Sequence, residues 1–288
     1  MNDAIRNMLN AYDLSTVAQA TDAVREVIQE VALLGLSRSS FFSKAAFYGG
    51  TALRIFYGLD RYSEDMDFSL LRSDAFFDLD EYKTFVVNEL AAFGFEVSFI
   101  KRKKSVDTRI ESAFLKADTK TQFLVIENAQ ALINKLPKGQ AIRIKIEVDT
   151  DPPLDFKTET KYHLRPTQFS ASVYTMPDLF AGKMHALLCR DWKGRIKGRD
   201  WYDFVWYVSR NTQLDLAHLE ARMLQSGHKK WEGKLTSTLF RELIRERIEA
   251  LDVASAKDEV KRFLSQSTDV SIWSKEFFIA VAEKIKYQ

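Results

Sequence analysis

Apolar and polar residues follow two different periods along the chain, and these periods predict its helices and strands. In the first two thirds, apolar residues recur at the spacing of one helix face in several segments. We predict helices there at 3–12, 15–36, 78–93 and 178–190. Strict alternation, or a short apolar run, predicts strands. The predicted strands are 45–48, 65–71, 95–101, 112–117, 142–149 and 169–176.

From Asp200 onward the pattern predicts helices only. These helices are 200–209, 215–226, 234–251, 256–265 and 274–286. The change in pattern predicts an α+β chain in two parts, because a mixed sheet flanked by helices is followed by a helical bundle. We place the first domain at 1–176 and the helical domain at 177–288. The segment 121–136 fits either a strand or a helix.

Composition narrows the functional classes. The 288 residues are 46% hydrophobic and 28% charged, as in an ordinary globular protein. The net charge of +2 argues against general binding of polyanions, so any contact with nucleic acid must come from local basic patches. A single cysteine, Cys189, excludes an internal disulfide and favours the reducing cytoplasm. The sequence shows no cluster of Cys and His of the kind that binds zinc. It also contains no apolar run long enough to cross a membrane.

Two aspartates in the second strand are the first candidates for chemistry. In the predicted strand 65–71, Asp65 and Asp67 lie two residues apart and therefore point to the same face. Two carboxylates so placed can share one divalent cation, and Mg²⁺ is commonly held by one or two carboxylates together with substrate phosphates. Such a pair is also common on a solvated strand edge.

A glycine-rich turn precedes this pair. Gly49, Gly50 and Thr51 end the strand 45–48 and open a helix, where backbone N–H groups and the helix dipole favour a phosphate. A diglycine alone is usually only a turn. A phosphate site shortly before a metal-binding carboxylate pair, however, indicates phosphoryl or nucleotidyl transfer.

Two blocks of the sequence resemble a known family. The first is Gly49-Gly50-Thr51 followed by Arg61-x-Ser63-Glu64-Asp65-x-Asp67-Phe68. The second is Lys183, Arg190 and Gly198-Arg199-Asp200-x-x-Asp203. They resemble the conserved motifs of the AbiEii/AbiGii family, which are nucleotidyltransferase-like toxins of bacterial toxin–antitoxin and abortive-infection systems. The resemblance implies a polymerase-β-like nucleotidyltransferase fold for the first domain and Mg²⁺-dependent transfer of NMP from an NTP.

The resemblance also implies a third metal-binding carboxylate on a neighbouring strand. The strand 142–149 offers Glu147 as the first choice and Asp149 as the second, next to Asp65 and Asp67. A solvated strand face is the structural alternative for Glu147.

Further roles follow from the same resemblance. It implies that Lys183 binds the triphosphate and that Asp200 is essential, with Asp203 as a close alternative. Each of the three also fits a purely structural role, in packing, capping or an ion pair. Arg61 and Ser63 are predicted to contact the nucleotide or to order their loop.

The resemblance implies an RNA acceptor, such as the 3′ end of tRNA, and a cognate antitoxin protein. The basic segments 101–104 and 190–199 favour RNA, although solvated loops have the same composition. Two alternatives remain open at this point: a nucleotidyltransferase that modifies a small molecule such as an antibiotic, and a non-catalytic binding protein on the same scaffold.

Overall fold

The computed structural model describes residues 3–101, 109–118, 134–135, 140–190, 196–264 and 268–288. The chain divides into two compact units. Unit 1 comprises Met1–Gly58, Tyr62–Pro152 and Glu159–Val173. Unit 2 comprises Leu59–Arg61, Pro153–Thr158 and Tyr174–Gln288.

Unit 1 is a mixed sheet with helices. Its helices are α1 (Asp3–Leu9), α2 (Val17–Ser37), α3 (Phe41–Lys44), α4 (Gly49–Tyr57) and α5 (Lys83–Ala92), the last preceded by a 3-10 turn (Leu79–Tyr82). Its strands are β1 (Ala45–Tyr48), β2 (Met66–Leu70), β3 (Ser98–Lys101), β4 (Ile110–Asp118), β5 (Ala141–Asp149), β6 (Thr158–His163) and β7 (Phe169–Tyr174).

The seven strands form one sheet in the order β3-β4-β5-β2-β1-β7-β6. β1 runs antiparallel to β2, and β2 runs parallel to β5. β5 therefore lies inside the sheet, between β4 and β2, and is not an edge strand. This topology places the C-terminal end of β1, the start of β2 and the C-terminal half of β5 side by side in the middle of the sheet.

The alternation in β2 explains how it is held in this position. Met66, Phe68 and Leu70 are buried, as the alternating pattern predicts. Phe68 stacks on Phe47 of β1 at 4.8 Å between ring centroids and meets Phe41 edge-on at 4.9 Å. Aromatic pairs across neighbouring strands stabilise one register over its alternatives. The packing therefore fixes which way the intervening polar residues point.

Unit 2 is mostly helical. Its helices are α6 (Met176–Cys189), α7 (Gly198–Ser209), α8 (Leu216–Gln225), α9 (Ser237–Glu249), α10 (Val253–Lys261) and α11 (Lys275–Ala282). α6 packs on α7 and α8, while α7 packs on α10 and α11. Trp201 of α7 lies 4.9 Å from Phe278 of α11 between ring centroids, in the apolar centre of the bundle.

The predicted mixed sheet with flanking helices and a helical second half is confirmed, with corrections. Two short parallel strands, β8 (Gln213–Leu214) and β9 (Lys286–Tyr287), interrupt the helices predicted from Asp200 onward. The strand β6 was not predicted, because none of its side chains is buried and its sequence therefore lacks an apolar face. The helix predicted at 15–36 begins at Val17, after its N-cap residue Thr16.

Two predictions concern residues outside the described ranges. The ambiguous segment 121–136 is described only at positions 134 and 135, and most of the basic segment 101–104 is not described. Among the described helices, none combines the length and apolar character that a membrane span requires.

Candidate active site

The turn between β1 and α4 lies directly against a carboxylate of β2. Gly49 has a φ of +81°, a conformation that side chains with a Cβ rarely adopt. A Cβ built on Gly49 would lie 2.6 Å from Oδ2 of Asp67. The carboxylate of Asp67 therefore occupies the space that a side chain at position 49 would need. Two features that the sequence singles out, the glycine turn and the Asp67 carboxylate, therefore lie next to each other.

Strand register places a second carboxylate beside the first. Asp67 is paired with Tyr48 of β1 on one side and with Glu147 of β5 on the other. Directly paired residues on neighbouring strands project to the same face, and neighbouring strands lie about 4.8 Å apart. The structure thus brings the side chains of Asp67 and Glu147 to one face of the sheet.

The register places Glu147, and not Asp149, directly beside Asp67. Asp149 is paired with Ser69, two residues further along β2, and its carboxylate accepts the backbone N–H of Asp151 at 3.1 Å. Glu147 is itself partnered, because Lys145 Nζ lies 2.6 Å from its Oε1. Both side chains of that pair are 28% exposed, so the ion pair is solvated and open to exchange.

Asp65 lies one residue before β2, and not within a strand as predicted. Its side chain is exposed, and its backbone carbonyl accepts a hydrogen bond from the hydroxyl of Thr51. Thr51 is buried. The Thr51 hydroxyl therefore fixes the chain at Asp65 against α4, which is a positioning role that the sequence did not reveal.

The loop before Asp65 is anchored by α2. The side-chain amide of Gln29 donates to the backbone carbonyls of Ser63, at 3.2 Å, and Glu64, at 2.9 Å. Gln29 is buried, so both bonds form away from competing water. Sequence reasoning missed Gln29, since a polar residue on a long helix carries no local sign of such a contact.

The other predicted site residues form a buried charge cluster within unit 2. Arg61 donates from Nε and Nη2 to the two oxygens of Asp203, each at 2.6 Å. Lys183 Nζ lies 2.7 Å from Asp200 Oδ1 and 2.8 Å from Asp203 Oδ2. Two cations and two carboxylates therefore compensate one another. The side chains of Arg61 and Asp203 are 3% and 0% exposed. The side chains of Lys183 and Asp200 are each 13% exposed.

The charges within the cluster decide its ionisation. Burial alone lowers the pKa of Lys183, but the nearby carboxylates of Asp200 and Asp203 outweigh it and raise that pKa above its ordinary value. Burial alone raises the pKa of Asp203, but Arg61 and Lys183 outweigh it and hold that pKa below its ordinary value. Lys183 and Asp203 thus stay charged near neutral pH. A triphosphate that binds Lys183 has to compete with Asp200 for the ammonium group.

The carboxylates of unit 1 suit a hard divalent cation. Asp67 and Glu147 present oxygen ligands on one face, at the start of a helix whose first residues have no side-chain cap. Oxygen ligands of this kind favour Mg²⁺ or Mn²⁺ over softer metals. The donor set and its placement therefore fit a divalent cofactor.

Comparison with known families decides the identity. The model of the nucleotidyl transferase AbiEii toxin family, of type IV toxin–antitoxin systems, matches residues 31–281. The chain belongs to the AbiEii family. The match includes both sequence blocks and extends through most of the helical part.

Solved structures that resemble this AbiEii-family chain are distant from it in sequence. JHP933 from Helicobacter pylori is 15% identical, with coverage of 90% of this chain and 88% of that one and a TM-score of 0.48. A second H. pylori structure, described as a proposed nucleotidyltransferase, is 14% identical, with coverage of 90% and 91% and a TM-score of 0.46. No curated protein sequence matches the chain.

Membership of the AbiEii family makes the chain a nucleotidyltransferase enzyme of the toxin type. A nucleotide is its substrate, an antitoxin is its partner, and enzymes of this class generally use a divalent metal. The predicted family and the predicted enzyme class are confirmed. The roles of individual residues remain predictions.

The contact between Gly49 and Asp67 can be tested at the two ends of α4. Gly49→Ala is expected to lower nucleotidyl transfer by about 10²-fold, because the new methyl group displaces the Asp67 carboxylate. Gly58 ends the same helix with a similar φ of +76°, but a Cβ added there would have nothing within 4 Å. Gly58→Ala is therefore a matched control with similar backbone strain. Steady-state transfer rates, compared at equal folded fraction, check the prediction, and equal losses in the two variants would contradict it.

Proposed function

We propose that this AbiEii-family enzyme transfers a nucleoside monophosphate from an NTP to an RNA end, such as the 3′ end of tRNA, with Mg²⁺ held by Asp65, Asp67 and Glu147. The observation that carries the proposal is the Asp67 carboxylate, which lies against the Gly49 turn and beside Glu147. A carboxylate pair next to a phosphate-binding helix start suits a metal–triphosphate complex.

The site residues of unit 1 each have a proposed task. Mg²⁺, when bound, would neutralise charge on the reacting phosphate and orient it. Gly49, Gly50 and Thr51 begin α4, and its first backbone N–H groups would bind the β- and γ-phosphates. Asp67 or Glu147 would accept the proton of the attacking hydroxyl. Lys145 pairs with Glu147 and would hold that carboxylate in position.

The remaining site residues are assigned to triphosphate binding and loop order. Lys183 would bind the triphosphate, and Asp200, its partner at 2.7 Å, would hold the ammonium group in place. Ser63 would contribute to loop order, since its carbonyl is already fixed by Gln29. Arg61 is paired with Asp203 and nearly fully buried, so loop order suits it better than a nucleotide contact.

The proposed RNA acceptor and the proposed cytoplasmic location are based on the family and on the basic segments. The segments 101–104 and 190–199 would contact RNA phosphates, although 102–104 and 191–195 lie outside the described residues. A cytoplasmic site of action suits an RNA acceptor. The proposal also divides the chain into a nucleotidyltransferase domain at 1–176 and a helical domain at 177–288.

The decisive experiment is incubation of the purified enzyme with each labelled NTP, Mg²⁺ and total cellular RNA. We expect one or more NTPs to label tRNA-sized RNA, and end sequencing to find added nucleotides at 3′ ends. Parallel reactions with small-molecule acceptors such as aminoglycosides serve as the comparison. Label on a small molecule alone would overturn the RNA acceptor while it leaves the transferase chemistry intact. No transfer to any acceptor, together with growth arrest that survives Asp67→Ala, would favour a non-catalytic binding protein.

A further inference from the structure

Three possible metal ligands that the transfer mechanism does not use come together in unit 2. His185 and Cys189 lie one helical turn apart near the end of α6, and His228 follows α8. One ligand atom from each residue lies within 4.8 Å of the other two. The sequence predicts no Cys and His cluster, because His228 is remote from the other two in the chain. The structure corrects that prediction.

A serine hydroxyl orients both imidazole rings. Ser226 Oγ lies 2.8 Å from Nε2 of His185 and 2.9 Å from Nδ1 of His228. It also lies 2.9 Å from the backbone carbonyl of Arg222. A hydroxyl has a single proton, and the carbonyl can only accept it, so both rings satisfy the geometry as donors to Oγ. This assigns lone pairs to Nδ1 of His185 and to Nε2 of His228.

One of these lone pairs is buried and unsatisfied. Within the described part of the chain, Nδ1 of His185 has no hydrogen-bond partner and almost no accessible surface. A buried acceptor without a donor is costly, and in native structures it calls for an explanation such as an ion. A metal ion beside Cys189 would supply the missing partner.

We propose that His185, Cys189 and His228 form a binding site for a transition-metal ion of the Zn²⁺ type. Two imidazoles and a thiolate are a borderline-soft donor set, which selects Zn²⁺ over Mg²⁺. Ser226 is the positioning residue, because hydrogen bonds to the outer nitrogen of a ligating histidine fix its orientation. The site is thus separate in chemistry from the carboxylates of the proposed Mg²⁺ site.

The geometry requires a modest closure on metal binding. With Zn–N distances of about 2.1 Å and a Zn–S distance of about 2.3 Å, tetrahedral ligands lie about 3.3–3.6 Å from one another. The present separation of up to 4.8 Å between ligand atoms therefore has to shrink by about 1 Å. His228 is exposed and its side chain can rotate, while His185 and Cys189 are held by α6.

Three arginines act on the two proposed ligands of α6. Arg190 and Arg222 act on His185, and Arg190 and Arg247 act on Cys189. These cations oppose a bare dication, and the negative charge of the Cys189 thiolate offsets part of that repulsion.

Occupancy would link two elements of unit 2. α6 carries Lys183 as well as two of the ligands, and the third ligand lies in the turn after α8. A metal bridge would therefore hold the C-terminal part of α6 against that turn and stabilise unit 2.

The test uses the full chain, stripped with a chelator and then dialysed against Zn²⁺ alone, with bound metal measured by elemental analysis. We expect one Zn²⁺ per wild-type chain and a higher unfolding temperature with zinc. Replacement by Co²⁺ should give the absorption of tetrahedral cobalt with a thiolate-to-metal charge-transfer band. Ser226→Ala should weaken zinc affinity by about 10–100-fold.

The sharpest variant is His228→Gln, since His228 is exposed and its replacement does not disturb the interior. We expect His228→Gln to lower zinc affinity by at least the same factor as Ser226→Ala. Asp67→Asn should still bind one Zn²⁺ per chain. Absence of zinc uptake by the wild-type chain, uptake undiminished in His228→Gln, or a cobalt spectrum without the thiolate band would each overturn the proposal.

Discussion

Replacement of Asp67 by asparagine is expected to lower nucleotidyl transfer by about a thousandfold or more. Asparagine keeps the size of the side chain against Gly49, so the turn and the strand register are retained. It removes the negative charge that would hold the divalent cation beside Glu147. Loss of one carboxylate from such a site removes several kcal/mol of transition-state stabilisation, and about 4 kcal/mol corresponds to a factor of a thousand.

The measurement is the initial rate of label transfer from NTP at saturating Mg²⁺, with thermal unfolding as the check on folding. Asp80→Asn is the matched control, since Asp80 is an exposed aspartate of the same unit. We expect Asp80→Asn to keep the wild-type rate and Asp67→Asn to keep the wild-type unfolding temperature. A rate within tenfold of wild type for a folded Asp67→Asn would remove Asp67 from the metal site.

The parts of the site that lie close in sequence could be predicted from sequence. The apolar run 45–48, the glycine turn at Gly49 and the alternation in β2 are local signals of a strand, a turn and a second strand. They were sufficient to single out Asp67 and the glycine turn as candidates. Glu147 was the first choice for the third carboxylate and Asp149 the second, but the pairing of Glu147 with Asp67 depends on packing across the sheet and could not be derived from the sequence.

Contacts between distant segments had no local signal. The partner of Arg61 is Asp203, on a helix of the second half, and nothing near either residue in the chain indicates that they pair. The histidine and cysteine ligands of unit 2 were missed for the same reason. β6 was missed because a strand with exposed and half-buried side chains lacks the apolar alternation by which strands are recognised.

The second large effect is expected for Asp203→Asn, which should lower the free energy of unfolding of unit 2 by about 3–5 kcal/mol. The substitution leaves the buried guanidinium of Arg61 without its paired carboxylate, and the cost of an uncompensated buried charge exceeds the energy of an ordinary hydrogen bond. Urea unfolding followed by tryptophan fluorescence reports on this unit, since all five tryptophans lie within 174–288.

Asp200→Asn is the matched control for this stability measurement. Asp200 is partly exposed and contacts Lys183, which keeps Asp203 as its partner. We therefore expect Asp200→Asn to lower the free energy of unfolding less than Asp203→Asn does. Relative to that loss of stability, Asp200→Asn should lower the rate of nucleotidyl transfer more than Asp203→Asn does. Equal unfolding midpoints for Asp203→Asn and wild type would contradict the structural role of Asp203.

The pH dependence provides an independent check of the same ion pair. Although burial opposes it, the charges of Arg61 and Lys183 hold the pKa of Asp203 in the folded chain below its ordinary value of about 3.9. A carboxyl group whose pKa is lowered by folding binds its proton more readily in the unfolded chain. Its contribution to stability is therefore present above about pH 4 and is lost as the pH falls below that value. In the Asp203→Asn variant this part of the acid destabilisation should be missing, so the difference in unfolding midpoint between wild type and variant should shrink as the pH is lowered from 7 toward about 3.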